Sequence, residues 1–438
     1  MNLKINPVTT SLNGEITAPG SKSYSHRAFI AASLADGISI IKNPLISRDV
    51  SKTVAILKSL GVKILKKSDN DYIIKRGKET YRALKKSFDC GNSGTTLRIF
   101  SALSLLIEGG LTLKGEFLRF QRPIIPLLES LKQLGADFKL STKKLKIKRI
   151  RDICNNIKIQ GDLSSQFITA LLMLCPQLKC KDKDFIEIEV TPPLVSKSFI
   201  EITLEVLDAF GINIQTNFEN GKFYITNEQN YRSQSYQIPG DFSSSANIIA
   251  AAVLSKNPSN VIINNLDLKN KQGDKKILEI LKKMNANITI SEDKHQVIVK
   301  GDLTNNLLQG VEIDCREIPD LFPILSVIGA FAQGKTVLYN ASNLRFKETD
   351  RISIMAQELN KMGVKVIEGD DKLTIFQSKN LNGTQINHNN DHRIAMACSI
   401  AALYANSSST IKNSEIVEDS YPSFFENLKE LGAQVEQI

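Results

Sequence analysis

The stretch PGSKSYSHRAFIAASLADG, residues 19–37, opens on a Pro-Gly turn, sets Lys22, His26 and Arg27 among Ser21, Ser23 and Ser25, and then runs almost wholly apolar. The spacing predicts a buried helix with a basic first turn. A helix N-terminus is already the electropositive end of the backbone dipole, so cations gathered there are unfavourable by themselves. An anion bound at that end reconciles the two, because the first-turn N–H groups are open donors.

The pattern recurs about every 70 to 80 residues along the chain, as CGNSGTTLRIFSALSLL from Cys90, QGDLSSQFITALLMLC from Gln160, PGDFSSSANIIAAAVL from Pro239, EIPDLFPILSVIGAFAQG from Glu317 and NNDHRIAMACSIAAL from Asn389. Each copy has a polar or glycine-containing turn, usually with Asp, Asn or Ser as a capping residue, followed by an apolar helix. A second helical pattern follows each one: VAILKSLGVKI, LLESLKQLGADF, ITLEVLDAFGINI, ILEILKKMNANITI, IMAQELNKMGVKVI and FFENLKELGAQV. These close on Gly61, Gly135, Gly211, Asn285, Gly363 and Gly432, residue types that enter the left-handed region at low cost, and strands come next in most copies. Six βαβ-type units follow from this periodicity, three to a domain. Pro19-Gly20 and Pro239-Gly240 stand at equivalent points, so the expected lobes are residues 1–20 with 240–438, and residues 21–239.

The 438 residues, 42% apolar and 23% charged, form an ordinary globular composition, long enough for two or more cored domains. The longest apolar run, Leu321 to Ala332, is well short of the roughly 20 residues of a membrane helix. Residues 1–16 contain no apolar export segment, and a cytoplasmic protein is expected. Six scattered cysteines without a CxxC pair (Cys90, Cys154, Cys175, Cys180, Cys315 and Cys398) are expected to be reduced thiols that bind no metal. A net charge of +10 suggests anionic partners. The densest basic tract, KKLKIKRIR at 143–151, alternates charge with Leu and Ile, which reads as a basic sheet edge. No stacking aromatics interleave with it, so neither a nucleic-acid nor a membrane partner is expected.

The motifs SKSYSHR, GNSGTTLR, QRPI, GDLSSQF, LRFKETDR and NDHRIAM, in this order and spacing across essentially the whole chain, resemble the 5-enolpyruvylshikimate-3-phosphate synthase family. The resemblance implies an α/β fold: a two-lobed inside-out barrel of six βαβαββ repeats, three per lobe, with substrates in the cleft between lobes. It implies transfer of the enolpyruvyl group of phosphoenolpyruvate to the 5-hydroxyl of shikimate 3-phosphate by a monomer that needs no metal or organic cofactor. Together the two substrates carry up to about six negative charges. That would account for the basic helix start at Lys22.

Carried over by motif, Lys22, Ser23, Arg27, Ser164, Ser165, Gln166, Ser196, Asp320, Asn343 and Lys347 fall at phosphoshikimate positions. Lys22, Asn92, Gly94, Arg122, Gln166, Glu348, Arg351, His392 and Arg393 fall at the phosphoenolpyruvate site. The resemblance makes Asp320 the acceptor of the 5-hydroxyl proton, Glu348 the acid and base at the methylene carbon, and Lys22 a third catalytic group. Read without the motifs, Asp320 is a helix cap, Glu348 an ion-pair partner of Lys347 or Arg351, and Ser164 and Ser165 are caps. Arg98 and Arg345 read as structural ion-pair partners.

Three positions depart from the commonest family pattern: Phe199 replaces a tyrosine, His26 stands where asparagine is frequent, and Asp419 replaces a late lysine. A sister transferase acting on a UDP-amino sugar would carry a loop cysteine, and none lies between Lys114 and Asp152. RNA-terminal phosphate cyclases use similar βα units, and that reading would need exposed stacking aromatics or strongly salt-dependent polynucleotide binding.

Overall fold

The computed structural model describes residues 1–77, 81, 87–180 and 183–438. The chain divides into two compact units: unit one comprises Met1–Pro19 and Pro239–Ile438, and unit two Gly20–Ile238. Among the described residues there are six four-stranded sheets, three in each unit. All six share one plan. A short edge strand runs parallel to a second, which pairs antiparallel with a third, and the third antiparallel with a fourth. In unit two this plan orders Ile157–Gln160, Phe185–Thr191, Lys222–Thr226 and Ile214–Asn217.

Strands far apart in the chain complete two of the unit-one sheets. Asn13–Thr17 is the parallel edge beside Asn260–Asn264, and Leu3–Ile5 lies between Ser409–Ile411 and Val435–Gln437. Unit two closes one of its own sheets in the same way, with Ser235–Gln237 parallel to Ile38–Lys42.

The first helix of each repeat is Lys22–Leu34, Gly94–Leu103 and Ser165–Leu174 in unit two, and Phe242–Val253, Phe322–Phe331 and His392–Leu403 in unit one. Every residue of the three unit-one helices is buried. An all-round apolar helix must lie inside the protein, whereas a one-sided helix can lie against a sheet. The second helices are one-sided. Arg48–Ser59, for example, starts at Ser47, whose side chain accepts from Val50 N at 3.3 Å, carries Asp49 in its first turn and ends with Lys58 in its last. The six closing residues all lie in the left-handed region, with φ from 73° at Asn285 to 107° at Gly432. The Pro-Gly pairs meet a tighter demand. A Cβ at Gly240 would stand 1.8 Å from the carbonyl oxygen of Asn265, where Asp241 N donates to Pro19 O at 2.9 Å.

Two expectations are corrected. Strand Leu145–Arg149 keeps its lysines on one solvated face but is not an edge; it sits between Leu111–Lys114 and Ala136–Leu140. The hairpin return of Ala136–Leu140 supplies the outer strand. Cys154 and Cys180 are joined in a disulfide with Cα atoms 5.6 Å apart, whereas Cys90, Cys175, Cys315 and Cys398 are buried free thiols. The segments carrying the pair lead into Ile157–Gln160 and Phe185–Thr191, which run parallel side by side, so residues distant in sequence meet at one end of a sheet. The bridge spans 26 residues, and loop-closure entropy gives it about 3.5 kcal/mol. The double variant Cys154→Ser/Cys180→Ser is therefore expected to lose about that much unfolding free energy and to unfold at a lower urea concentration. Reductant should shift the parent protein to the same midpoint and leave the variant unmoved.

Candidate active site

The residues singled out by sequence fall into two groups in unit two and one in unit one. In unit two, Arg27 is buried on the helix that starts at Lys22. Its Nε donates to Thr203 Oγ1 at 2.8 Å, Nη1 to Ser23 O at 2.8 Å, and Nη2 to Thr169 Oγ1 and Phe199 O, both at 3.1 Å. Among the described residues four of the five guanidinium N–H donors are thereby engaged, leaving one on Nη1. Burial draws Arg27 down to about 10, so it stays charged at neutral pH. His26 is held well below its usual range by burial and by the charges of Lys22 and Arg27, and it is neutral. Its Nδ1 lies 2.8 Å from Thr53 Oγ1, the first link of a hydroxyl chain through Thr96 to Ser93 that joins three helices. Lys22 Nζ stands 3.4 Å from Asp49.

A second group converges on Gly94. Arg122 Nη1 donates to the backbone and side-chain oxygens of Asn92 at 2.7 and 3.1 Å, while Arg98 Nη1 donates to Gln166 Oε1 at 2.6 Å. Both guanidinium groups lie on the Phe117 ring, at 4.9 and 4.8 Å from its centroid. Asn92, Gly94, Arg122 and Gln166 are thus brought together, and Arg98, left out by the sequence reading, braces the group. A Cβ on Gly94 would meet Arg98 Nη1 and Gln166 Oε1 at 3.1 Å and Arg122 Nη2 at 3.3 Å. Ser164 caps the helix beginning at Ser165, accepting from Gln166 N at 3.3 Å. Ser196 is buried in the left-handed region at φ 56°, and its hydroxyl has no partner among the described residues.

In unit one the centre is Arg351, whose side chain is 2% exposed. Nε donates to Asp391 at 2.8 Å, Nη1 to Asp320 at 2.8 Å and Pro319 O at 3.4 Å, and Nη2 to Glu348 at 3.0 Å and Asp391 at 3.5 Å. All five N–H donors have acceptors. Arg351 is a hub that ties both candidate proton-transfer carboxyls. Arg393 is the reverse. It is 3% exposed and reaches Asp320 through Nη2 at 3.3 Å, but its Nε and Nη1 have no partner among the described residues. A buried cation with unused donors points to an anion, since burying unmet donors is expensive.

Asp320 is an ion-paired carboxylate; Leu321 occupies the cap position of helix Phe322–Phe331. Burial acts upward on its carboxyl, but Arg393, Arg351 and Lys347 outweigh this and hold it below the usual carboxylate range. Asp391 caps the helix that begins at His392, accepting from Arg393 N at 2.8 Å. His392 is buried at that start, and Lys347 precedes Glu348 on the turn into helix Arg351–Lys361. Asn343 is buried with neither amide atom partnered among the described residues, so it can both donate and accept. Arg345 pairs with Asp350 and Glu368, both at 2.7 Å.

Sequence reading missed Asp274, a buried carboxylate near Asp320 and Arg393. Its only signal was the turn KQGDKK. Among the described residues no group of three His, Cys, Asp or Glu could hold a metal ion, and no helix is long and apolar enough to cross a membrane.

The profile of the EPSP synthase (3-phosphoshikimate 1-carboxyvinyltransferase) family matches residues 7–428. The chain is 42% identical over 442 aligned positions to the 3-phosphoshikimate 1-carboxyvinyltransferase of Methanocaldococcus jannaschii, covering all of both chains. It is 41% identical to the Methanococcus maripaludis protein of the same name, covering 98% of this chain and 99% of that one. The crystal structure of EPSP synthase from Acinetobacter baumannii superposes over the full length of both chains with a TM-score of 0.79 at 25% identity.

Proposed function

The chain belongs to the EPSP synthase (3-phosphoshikimate 1-carboxyvinyltransferase) family, and from that premise we propose how its side chains divide the work of the reaction. The enzyme transfers the enolpyruvyl group of phosphoenolpyruvate to the 5-hydroxyl of shikimate 3-phosphate, a step of the shikimate pathway to aromatic amino acids. The carrying observation is the contrast between the saturated Arg351 and the open Arg393 on either side of Asp320.

Arg393 and Arg122 bind the carboxylate and phosphate of phosphoenolpyruvate, with Asn92, Gly94, Gln166 and His392 shaping the pocket. Lys22, Ser23, Ser164, Ser165, Ser196, Asn343 and Lys347 hold shikimate 3-phosphate, with Arg27 contributing its one free N–H and bracing the helix start. Arg351 acts by positioning Asp320 and Glu348. Glu348 protonates carbon 3 of phosphoenolpyruvate, Asp320 takes the 5-hydroxyl proton, and the new C–O bond forms at carbon 2 to give a tetrahedral ketal. Glu348 then removes a methyl proton as the C–O bond to phosphate breaks, and the phosphate leaves carrying the proton from the hydroxyl.

Cations depress the basicity of Asp320 in the free enzyme. Anionic substrates neutralise those cations, and its basicity rises when it is needed. The scheme uses side chains and substrate atoms only, in a monomer acting in the cytoplasm on two small anions and not on nucleic acid. Phosphate release from phosphoenolpyruvate, measured with and without shikimate 3-phosphate, tests it. Release should depend on the second substrate, and a folded sample without such turnover would refute the reading. Gly94→Ala adds a methyl group among Arg98, Gln166 and Arg122. It is expected to raise KM for phosphoenolpyruvate about tenfold or more, equivalent to at least 1.4 kcal/mol. KM for shikimate 3-phosphate should hardly move; equal losses for both would mean a folding defect.

A further inference from the structure

Asp274 lies on the turn Gly273–Lys275 that leads into helix Lys276–Lys283 of unit one. Gln272 locks this turn to the start of helix Phe242–Val253, accepting from Phe242 N at 3.0 Å and donating to Gly240 O at 2.7 Å. The residue is 3% exposed, and among the described residues neither carboxylate oxygen has a donor in good hydrogen-bond geometry, the Ser243 hydroxyl beside it being the one group that assists the charged form as a weak donor. The charged groups facing it are Asp241, from ahead of helix Phe242–Val253, Asp320, from ahead of helix Phe322–Phe331, and Arg393, from helix His392–Leu403. Lys275, its chain neighbour, does not neutralise it, because its ammonium is turned to Leu268 O and Asn270 O at 2.7 Å.

Two carboxylates therefore share the neighbourhood of Arg393, and Asp320 has the bonds. Asp320 keeps its charge through Arg351, Arg393 and Lys347. For Asp274, burial comes first and the charge of Asp320 second, and against the Ser243 hydroxyl and the charge of Arg393 they push it up to about 7. A buried carboxyl with no more than a hydroxyl beside it is far less costly neutral than charged.

We infer that Asp274 takes up a proton when an anionic substrate settles on the open donors of Arg393, and that it is a positioning residue keeping the charge around Asp320 constant. The inference rests on the substrate reading given above. An anion placed on Arg393 cancels the charge of a cation that favours ionised Asp274 and adds negative charge beside it. Linkage makes the effect reciprocal, so the proton on Asp274 strengthens anion binding by the same factor. Neutral Asp274 also gains an O–H donor, which the ionised form lacks.

The test is calorimetric titration of the enzyme, saturated with shikimate 3-phosphate, with 2-phospholactate, the saturated analogue of phosphoenolpyruvate that cannot react. Buffers of different ionisation enthalpy report the protons taken up. At about pH 8, where the ligand phosphate is already dianionic, uptake should approach about one proton in the parent protein, and its affinity should fall by up to about tenfold per pH unit above neutrality. Asp274→Asn, neutral at every pH, should bind with no uptake and with affinity nearly flat from about pH 7 to 9.

Equal uptake in the parent and the variant would overturn the inference while leaving the substrate site standing. If neither ligand binds the folded parent, the site on Arg393 falls and the inference with it. Should the variant not fold, carbon-13 NMR of aspartate carboxyls in the parent decides. One carboxyl should titrate near neutrality and become protonated when both ligands are added. If no aspartate titrates above about pH 5, the inference is wrong.

Discussion

Asp320→Asn is expected to lower kcat by about 10²- to 10⁴-fold while calorimetry still finds both substrates bound. Asparagine keeps the shape and one acceptor oxygen for Arg351, so the hub loses little geometry. What disappears is the ability to accept a proton as the 5-hydroxyl attacks. An interaction made only in the transition state lowers kcat and kcat/KM together, whereas a uniform binding contact shows in KM. The amide also turns an N–H toward Arg351 or Arg393, so a modest stability loss accompanies the kinetic one and should be measured separately. Near-normal turnover would reduce Asp320 to a counter-ion of two arginines and leave Glu348 or Lys22 as the base.

Arg351→Met is expected to destabilise unit one by about 3–5 kcal/mol, the cost of leaving buried charges unmatched. The removed guanidinium makes five hydrogen bonds, and its partners include Asp391, which is fully buried, and Asp320. The pH dependence identifies the cause. In the parent protein the carboxyl of Asp320 is held low, so its contribution to stability is present above about pH 4, the unfolded value, and is lost as pH falls toward the folded one. Without Arg351 much of that hold is gone, so the stability gap between parent and variant should be widest at neutral pH and narrow in acid. Urea unfolding of both proteins across that range checks it. A gap that does not change with pH would mean lost packing in place of stranded carboxylates. Arg351→Lys should recover only part, since an ammonium cannot span three carboxylates with a planar fork.

The repeats were legible because each leaves two local marks, an apolar helix after a polar turn and a closing residue that tolerates positive φ. Even Asn285, standing in for glycine, fits this physics at φ 73°. The motif residues were legible as a list but not as a division of labour. Arg27, Arg351 and Arg393 look alike in sequence, and only hydrogen-bond partners show that the first two are largely or wholly spent on the protein while the third is open. Those partners come from positions 320, 348 and 391, and no periodicity links them. Asp274 escaped notice for a related reason, because a QGD turn ahead of a helix reads as an ordinary start. The Cys154–Cys180 bridge depends on two strand ends meeting, and Leu145–Arg149 became an inner strand through its hairpin partner. Alternation shows which face is wet but not which strand is outermost.

The strand order of unit one bears on how the chain is made. Asn13–Thr17 and Leu3–Ile5 leave the ribosome early, yet their partners lie at Asn260–Asn264, Ser409–Ile411 and Val435–Gln437. At roughly 5–20 residues per second the first partner follows after about 12 to 50 seconds and the last after about 20 to 90. Within that interval Gly20–Ile238 can be completed, because its closing strand Ser235–Gln237 belongs to the same continuous segment. A growing chain thus passes through a stage with one finished unit and two orphan β-segments ahead of it. Unpaired strands invite association with other chains, and charge and brevity protect against it. Both segments are short, LKI and NGEIT, and each carries a charge, Lys4 in one and Glu15 in the other. Replacing Lys4 and Glu15 with Val should leave the mature fold little changed yet raise the fraction of newly synthesised protein that aggregates.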